Sequence, residues 1–305
     1  KFYLHTNEKA EDFKIDYCND LSIQDWKSYI PAQEETLIGS LFFLNNWILR
    51  SEISNALPKI FVKNIKTNQE EEIKFTDEKI IDPGISFYQK DRDTDLIYLS
   101  YSSPKTQSRT YLYNLKTKEK KLVKEQEIPS GHNPDEYIVE RLECDSYDGR
   151  MVPLTITRHK NTKIDGSANL LLYGYGSYGN SMSPGFSSTK LSLIDRNIIW
   201  VTAHIRGGME KGMKWWKEGK LMNKKNTFED YIAVGKYLID KKYTSKGKII
   251  GMGGSAGGLL MGAVVNKAPE LFLGIIMAVP FVDSLTTNLD HSLPLTVGEF
   301  DEFGN

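Results

Sequence analysis

Cysteine is scarce in this 305-residue sequence: Cys18 and Cys144 are the only two. Two thiols cannot build a disulfide framework, and the simpler reading is a reducing intracellular compartment, the cytoplasm. Long apolar runs are missing as well. None approaches the roughly 20 residues of a membrane span, so no membrane is expected as a partner. Net charge is nearly absent, −1 from 39 Lys+Arg against 40 Asp+Glu, which supplies no global field to gather nucleic acid or anionic lipid. The five histidines, His5, His132, His159, His204 and His291, show no i, i+4 pairing with each other, so no metal set is expected. The segment Lys1–His5 is broken by charge and followed by no apolar core. It reads as no signal peptide, and the missing initiator methionine reads as a start inside a longer protein.

What is present is an ordinary globular composition, 40% hydrophobic and 26% charged, long enough for one large domain or two ordinary ones. Its organising stretch is Lys248–Met261, a short apolar strand, a glycine-crowded turn and a small-residue helix running to about Asn266. At the centre, Gly253-x-Ser255-x-Gly257 fits a nucleophile elbow. A serine between strand end and helix start is held in strained backbone, and a side chain at either flanking position would collide with its neighbours. The helix N-terminus offers free N–H groups and partial positive charge to an anionic intermediate. Ser255 is therefore the candidate nucleophile, and the Ala256 N–H a candidate oxyanion donor. A second apolar stretch, 274–279, provides a parallel partner strand within one βαβ unit. This turn lacks the lysine of a phosphate-binding loop, and the glycines of 173–179 lack dinucleotide spacing, so no cofactor is expected.

Upstream, residues 14–17, 35–44, 47–52, 59–63, 72–75, 96–101 and 110–114 form short alternating or apolar runs. Turn-rich or charged pieces at 64–68, 91–95 and 116–121 separate them, which predicts antiparallel β structure of sandwich, barrel or propeller type. Residues 110–118 repeat the form of 60–68, a strand followed by an Asn/Lys/Thr turn, about 50 residues apart, near the length of a propeller blade. The basic run 116–121 reads as a solvated hairpin. Composition shifts at Pro129–Pro134, a domain boundary. Residues 137–144 and 151–158 then read as a hairpin around Asp148–Gly149. Strands at 169–173 and 197–203 and a helix at 227–240, started by Thr227 and Asp230, complete a parallel α/β sheet.

Around the elbow, the loop Tyr173–Gly179 is either the source of a second oxyanion donor or a structural turn. His204 reads as a satisfied buried histidine. Arg206 reads either as a polar group gathered at the site or as a structural partner of a carboxylate. Together, 172–179, 205–208, 226–231, 253–258 and 279–283, with 294–305, resemble the prolyl oligopeptidase family of serine peptidases, in particular its oligopeptidase B branch. The likeness is near continuous from about Tyr137 to Asn305.

This resemblance implies an α/β-hydrolase domain, a mixed, mostly parallel sheet with helices on both faces, at 131–305. Before it, at 1–130, come the last blades of a β-propeller, the whole being a fragment of a longer protein. It also implies a peptidase acting on oligopeptides, reached through a propeller that excludes folded proteins. By position Ser255 is the nucleophile, the Tyr175 hydroxyl and Ala256 N–H form the oxyanion hole, and Tyr178 lines the primary pocket. Glu299 pairs with a substrate Arg or Lys, a role that bidentate carboxylate–guanidinium geometry supports. Asp301 stands where the family has a further glutamate, and Arg206 joins the substrate-binding set. Ser183 and Gly185 replace an acidic pair, which leaves preference for a second basic residue open. The triad Asp and His of this family lie beyond the 50 residues that follow Ser255, so a C-terminal remainder or a second chain is expected to supply them. Asp283, Asp290 and His291 follow the serine too closely. The competing readings are another hydrolase on this fold, an acylaminoacyl-peptidase or esterase, and an inactive fragment serving binding or assembly.

Overall fold

The computed structural model describes residues 1–22, 25–74, 76–86 and 92–304. Phe75 of the expected strand at 72–75, Asp91 of the turn at 91–95 and the terminal Asn305 lie outside the described residues. The chain divides into two compact units. The first is Lys1–Glu127 with the short segments Ser183–Phe186 and Glu210–Lys214; the second is the remainder.

The strands of the first unit are all paired antiparallel. Strands β1 (Phe2–Thr6), β2 (Lys14–Cys18) and β3 (Lys27–Ile30) form a three-stranded sheet. Two four-stranded meanders follow: β4 (Thr36–Phe43), β5 (Trp47–Ser54), β6 (Leu57–Asn64) and β7 (Glu70–Glu72), then β8 (Asp82–Ser86), β9 (Leu96–Ser102), β10 (Arg109–Asn114) and β11 (Lys120–Glu125). Alternation places Trp47, Leu49, Ile60 and Val62 of the first meander in one core with Ile97, Leu99, Tyr101 and Tyr113 of the second, as period-2 strands with one buried face require.

The fifty-residue repeat appears in atomic detail. The Asn64 side-chain oxygen accepts from the N–H groups of Lys66 and Thr67 at 2.9 and 3.0 Å. Asn114 accepts from Lys116 and Thr117 at the same 2.9 and 3.0 Å. Each turn is an Asx-type closure of its third strand. The basic run does not separate strands over its full length: Lys120 and Lys121 belong to β11. That strand is exposed along all six residues, and a lysine-rich edge strand carries no alternation to announce it.

The second unit is built on a six-stranded sheet with strands β12 (Tyr137–Asp145), β13 (Met151–His159), β14 (Leu170–Tyr173), β15 (Ile199–Ala203), β16 (Ile249–Gly254) and β17 (Phe272–Ala278). Its order is β12-β13-β15-β14-β16-β17. The β12–β13 hairpin is antiparallel and joins β15 antiparallel, whereas β15, β14, β16 and β17 run parallel. The α-helices of the described residues are α1 (Ser188–Ile194), α2 (Gly212–Lys217, whose first three residues belong to the first unit), α3 (Lys225–Asp240), α4 (Ala256–Lys267), α5 (Ser284–Leu289) and α6 (Thr296–Phe303).

Helices cover both faces. Ile199 and Val201 share a core with Tyr231 of α3 and Leu260 of α4. Trp200, on the opposite face by alternation, lies 5.1 Å beneath the Lys190 ammonium of α1. Helix α3 begins at Lys225, two residues earlier than expected, and Thr227 and Asp230 do not start it. The Thr227 hydroxyl donates to the Arg206 and Gly219 carbonyls, and Asp230 faces Arg206.

Strand β17 ends the sheet, and Leu273, Ile276 and Met277 along it are 60%, 45% and 43% exposed. An open apolar edge strand is a template for pairing. The 305-residue chain on its own is expected to self-associate through this edge, and Met277→Lys is expected to shift sedimentation toward monomer. A monodisperse monomer of the unsubstituted chain would contradict this.

Candidate active site

The parallel strands deliver three loops to the same end of the sheet. The chain crosses from β15 over β14 to β16, so the strand order reverses around β14, the topology at which open α/β sheets place their sites. Between β16 and α4, Ser255 adopts φ 55° and ψ −121°, backbone that costs a non-glycine residue about 1–3 kcal/mol. Hydrogen bonds on both sides hold it there. The Ser255 N–H donates to the Ala278 carbonyl at 2.9 Å, and the Ser255 carbonyl accepts from Phe281 at 2.9 Å and Gly258 at 2.8 Å. The flanking glycines are steric requirements. A Cβ on Gly253 would stand 2.2 Å from the Gly257 carbonyl oxygen, and one on Gly258 would stand 2.5 Å from Pro280 Cα. Ser255 is exposed while Ala256 is buried at the first helical position, where the helix supplies no acceptor for its N–H.

The loop after β14 lies against this turn. Its Gly174 N–H bonds the Met252 carbonyl of β16 at 3.1 Å. The Tyr175 hydroxyl interacts with the side chains of Asn180 and Ser255. Burial raises its pKa above the ordinary tyrosine value, and those two neighbours oppose the rise. The Tyr175 and Tyr178 rings lie 6.3 Å apart. The Tyr178 hydroxyl donates to Glu299 Oε2 at 2.5 Å; burial foremost, then Glu299, holds its proton on. Glu299 belongs to α6, whose Phe303 ring meets Tyr178 edge-on at 5.9 Å.

The structure thus brings Ser255, Ala256, Tyr175, Tyr178 and Glu299 together. Asp301 it does not: two residues beyond Glu299 on the helix, its side chain is 71% exposed and pairs with Lys220 at 2.8 Å.

Of the two readings of Arg206, its surroundings favour the structural one over substrate binding. Its side chain is 1% exposed. The guanidinium donates to Asp230 at 2.9 and 2.6 Å, to Asp148 at 2.6 and 3.2 Å, and to Ser146 at 3.3 Å. Enclosed by two carboxylates, it ties the end of β15 to α3 and to the β12–β13 turn and presents nothing to a ligand.

The histidines lie elsewhere. His5 bonds the Ile38 carbonyl, His132 stacks on Tyr137, His159 faces Glu136, His204 bonds the Thr155 hydroxyl at 2.9 Å, and His291 packs on Phe300. Asp283 caps α5 through the Thr286 N–H, and Asp290 closes a turn onto Ser292. Among the described residues no group of three or more His, Cys, Asp or Glu side chains is arranged to hold a metal ion. No helix among them is long and apolar enough to cross a membrane.

Three residues that sequence reasoning passed over close the site from behind. Lys224 and Trp216, both partly buried, and the buried Glu302 form a cluster against Gly176 and Ser177. Lys224 stands in an Asn-Lys-Lys-Asn run and Glu302 in an Asp-Glu pair, local contexts typical of solvated surface.

A strained serine at a strand-to-helix turn, on a mixed sheet covered by helices on both faces, defines an α/β-hydrolase domain. The profile described as "Prolyl oligopeptidase family" matches residues 184–305. The profile described as "Prolyl oligopeptidase, N-terminal beta-propeller domain" matches 1–126, so the repeated meanders are propeller blades. The chain belongs to the prolyl oligopeptidase family.

It is 40% identical to dipeptidyl aminopeptidase BI of Pseudoxanthomonas mexicana, over all of this chain and 42% of that protein. It is 38% identical to protease 2 of Moraxella lacunata, over 98% and 43%. Among solved structures, oligopeptidase B from Trypanosoma brucei with covalently bound antipain superposes with a TM-score of 0.91 at 33% identity, covering 99% of this chain and 44% of that one. The chain therefore spans less than half the length of these relatives.

The Arg206 cluster generates a direct expectation. Breaking a buried ion pair from one side typically costs 3–5 kcal/mol. Arg206→Met is expected to lower unfolding free energy by about that amount in chemical denaturation. A variant as stable as the parent would contradict the structural role.

Proposed function

We propose that the protein containing this chain is a serine oligopeptidase that cleaves short peptides after Arg or Lys through an acyl-enzyme. The observation that carries this reading is the strained turn that exposes Ser255, with the Glu299 carboxylate held at Tyr178 of the neighbouring loop, whose Tyr175 hydroxyl interacts with the Ser255 side chain. The Ser255 hydroxyl attacks the scissile carbonyl. The oxygen that becomes negative receives the Ala256 N–H and the Tyr175 O–H, donors aimed at charge that develops in the transition state.

Glu299 takes the cationic side chain that precedes the scissile bond. Its partner here is a neutral hydroxyl, so a guanidinium or ammonium brings it a charge-assisted hydrogen bond in exchange. The proton leaving Ser255 goes to a histidine oriented by an aspartate, both supplied by polypeptide beyond this chain or by a second chain. A cytoplasmic setting belongs to the same reading, in keeping with the free, buried thiols of Cys18 and Cys144.

The name of the Pseudoxanthomonas relative favours a second reading, release of dipeptides from a free amino terminus. An esterase on this scaffold would have no use for Glu299.

The test uses the full-length protein. A fluorophosphonate is expected to label Ser255 quickly and selectively, with Ser255→Ala as the unlabelled control. Absence of labelling would point to an inert relic. Glu299→Gln is expected to lower kcat/KM for Arg substrates by roughly 30-fold or more, the scale of losing one member of a buried charge pair. Neutral substrates should be affected little. Equal loss on both, or none, would sink the specificity reading. Amino-terminally blocked Arg peptides should be cleaved; their refusal, with free-amine analogues accepted, would establish the dipeptide-releasing reading instead.

A further inference from the structure

We propose that Lys224 is a positioning residue for the oxyanion site, strapping the Tyr175–Tyr178 loop to the helix that carries Glu299. The inference rests on the roles given above to Tyr175 and Glu299. Lys224 lies at the start of α3 with a side chain only 12% exposed. Its ammonium donates to the Gly176 carbonyl at 2.7 Å, to Ser177 Oγ at 2.5 Å and to Glu302 Oε1 at 2.9 Å. Three donors meet three acceptors, which is all an ammonium can do. Glu302 is equally committed: its side chain is 2% exposed, and its other oxygen accepts from the Trp216 indole at 2.8 Å. A buried ion pair of this kind is weak evidence for stability, since an apolar replacement of both members is often neutral or better. What it does supply here is a fixed distance.

The geometry shows what is being spaced. Glu299 and Glu302 are three apart on α6 and share one face of the helix. Both reach the same loop, Glu299 through the Tyr178 hydroxyl and Glu302 through Lys224. The Lys224 contact falls on Gly176, the residue after Tyr175, whose φ of +68° marks a bend at that point. Holding the Gly176 carbonyl therefore holds the backbone from which the Tyr175 hydroxyl is presented to Ser255.

The two straps are not equivalent during a reaction. A substrate cation that takes Glu299 competes with the Tyr178 hydroxyl for it, so the first strap loosens as the pocket fills. The Lys224–Glu302 strap does not touch the pocket carboxylate and stays. The oxyanion donor is thereby kept in place at the moment it is used.

The test compares Lys224→Met and Glu302→Gln in the full-length enzyme, with kcat expressed per site titrated by fluorophosphonate. Tyr175→Phe serves as reference. Lys224→Met is expected to lower kcat ~10- to 100-fold on Arg and on neutral substrates alike, the scale of a displaced oxyanion donor. KM should stay within about threefold, since binding is not what the strap serves. Tyr175→Phe introduced into Lys224→Met should cost several-fold less than in the parent, because coupled residues are not additive.

An unchanged kcat per titrated site, a loss confined to KM for Arg substrates, or a fully additive double variant would each overturn the inference. If Lys224→Met does not fold, Glu302→Gln, which keeps the shape and removes the charge, is judged by the same three criteria. If Tyr175→Phe alone leaves kcat within about threefold, the oxyanion reading itself fails. A damaging Tyr175→Phe beside a harmless Lys224→Met overturns only the strap.

Discussion

The backbone of Ser255 is the constraint on which the second unit depends. At φ 55° it occupies a conformation that a free chain avoids, and its neighbours make the avoidance impossible. Strand β17 accepts its N–H through Ala278, the segment after β17 donates to its carbonyl through Phe281, and Gly253 and Gly258 stand where no Cβ would fit. The strain of ~1–3 kcal/mol is modest beside three hydrogen bonds worth about 1 kcal/mol each. The same clamp lifts the hydroxyl out of the sheet and turns the first helical N–H toward the same space. The nucleophile and oxyanion donor proposed above are thus two ends of one backbone distortion.

Helix α3 carries the polar framework that keeps the neighbouring loops in register with that distortion. At its start Lys224 reaches the loop after β14 and the helix α6. One and a half turns later Asp230 holds Arg206, at the end of β15, beside Asp148 and Ser146 of the β12–β13 turn. The Tyr231 hydroxyl bonds the Leu172 carbonyl of β14 at 2.6 Å from the centre of the core. One helix therefore fastens, by side chains of three different kinds, the C-terminal ends of the two strands whose loops flank the serine. Arg206 and Lys224 are both cations buried beside carboxylates, but they fasten different things, one the scaffold and the other the site.

The elbow was legible because its information is local: glycine spacing, an apolar strand before it and a small-residue helix after it. Interior blade strands were legible for the same reason, since alternation at Trp47–Leu49 or Ile97–Leu99 directly records which face is buried. Edge strands such as β11 were not, because exposed on both faces they keep no period. Arg206 remained between two readings until Asp230, twenty-four residues away, was placed beside it. Lys224 and Glu302 could not be read at all. Their neighbours in sequence are charged, and the burial that gives them meaning comes from a contact across 78 residues.

The Asx turns at Asn64 and Asn114 carry a consequence for how the chain acquires its structure. Each blade is a meander whose strands pair with their immediate successors, closed by a turn that contains its own instructions. Contacts of such short range form quickly, because little loop entropy is lost in making them. The hydrolase sheet has the opposite character. Strand β14 is enclosed only when β16 arrives nearly eighty residues later, and Ser255 is clamped only after β17 has been added. On an emerging polypeptide the blades can assemble one at a time, whereas Ser255 reaches its strained geometry late, so the turn that presents it is among the last features of this chain to exist.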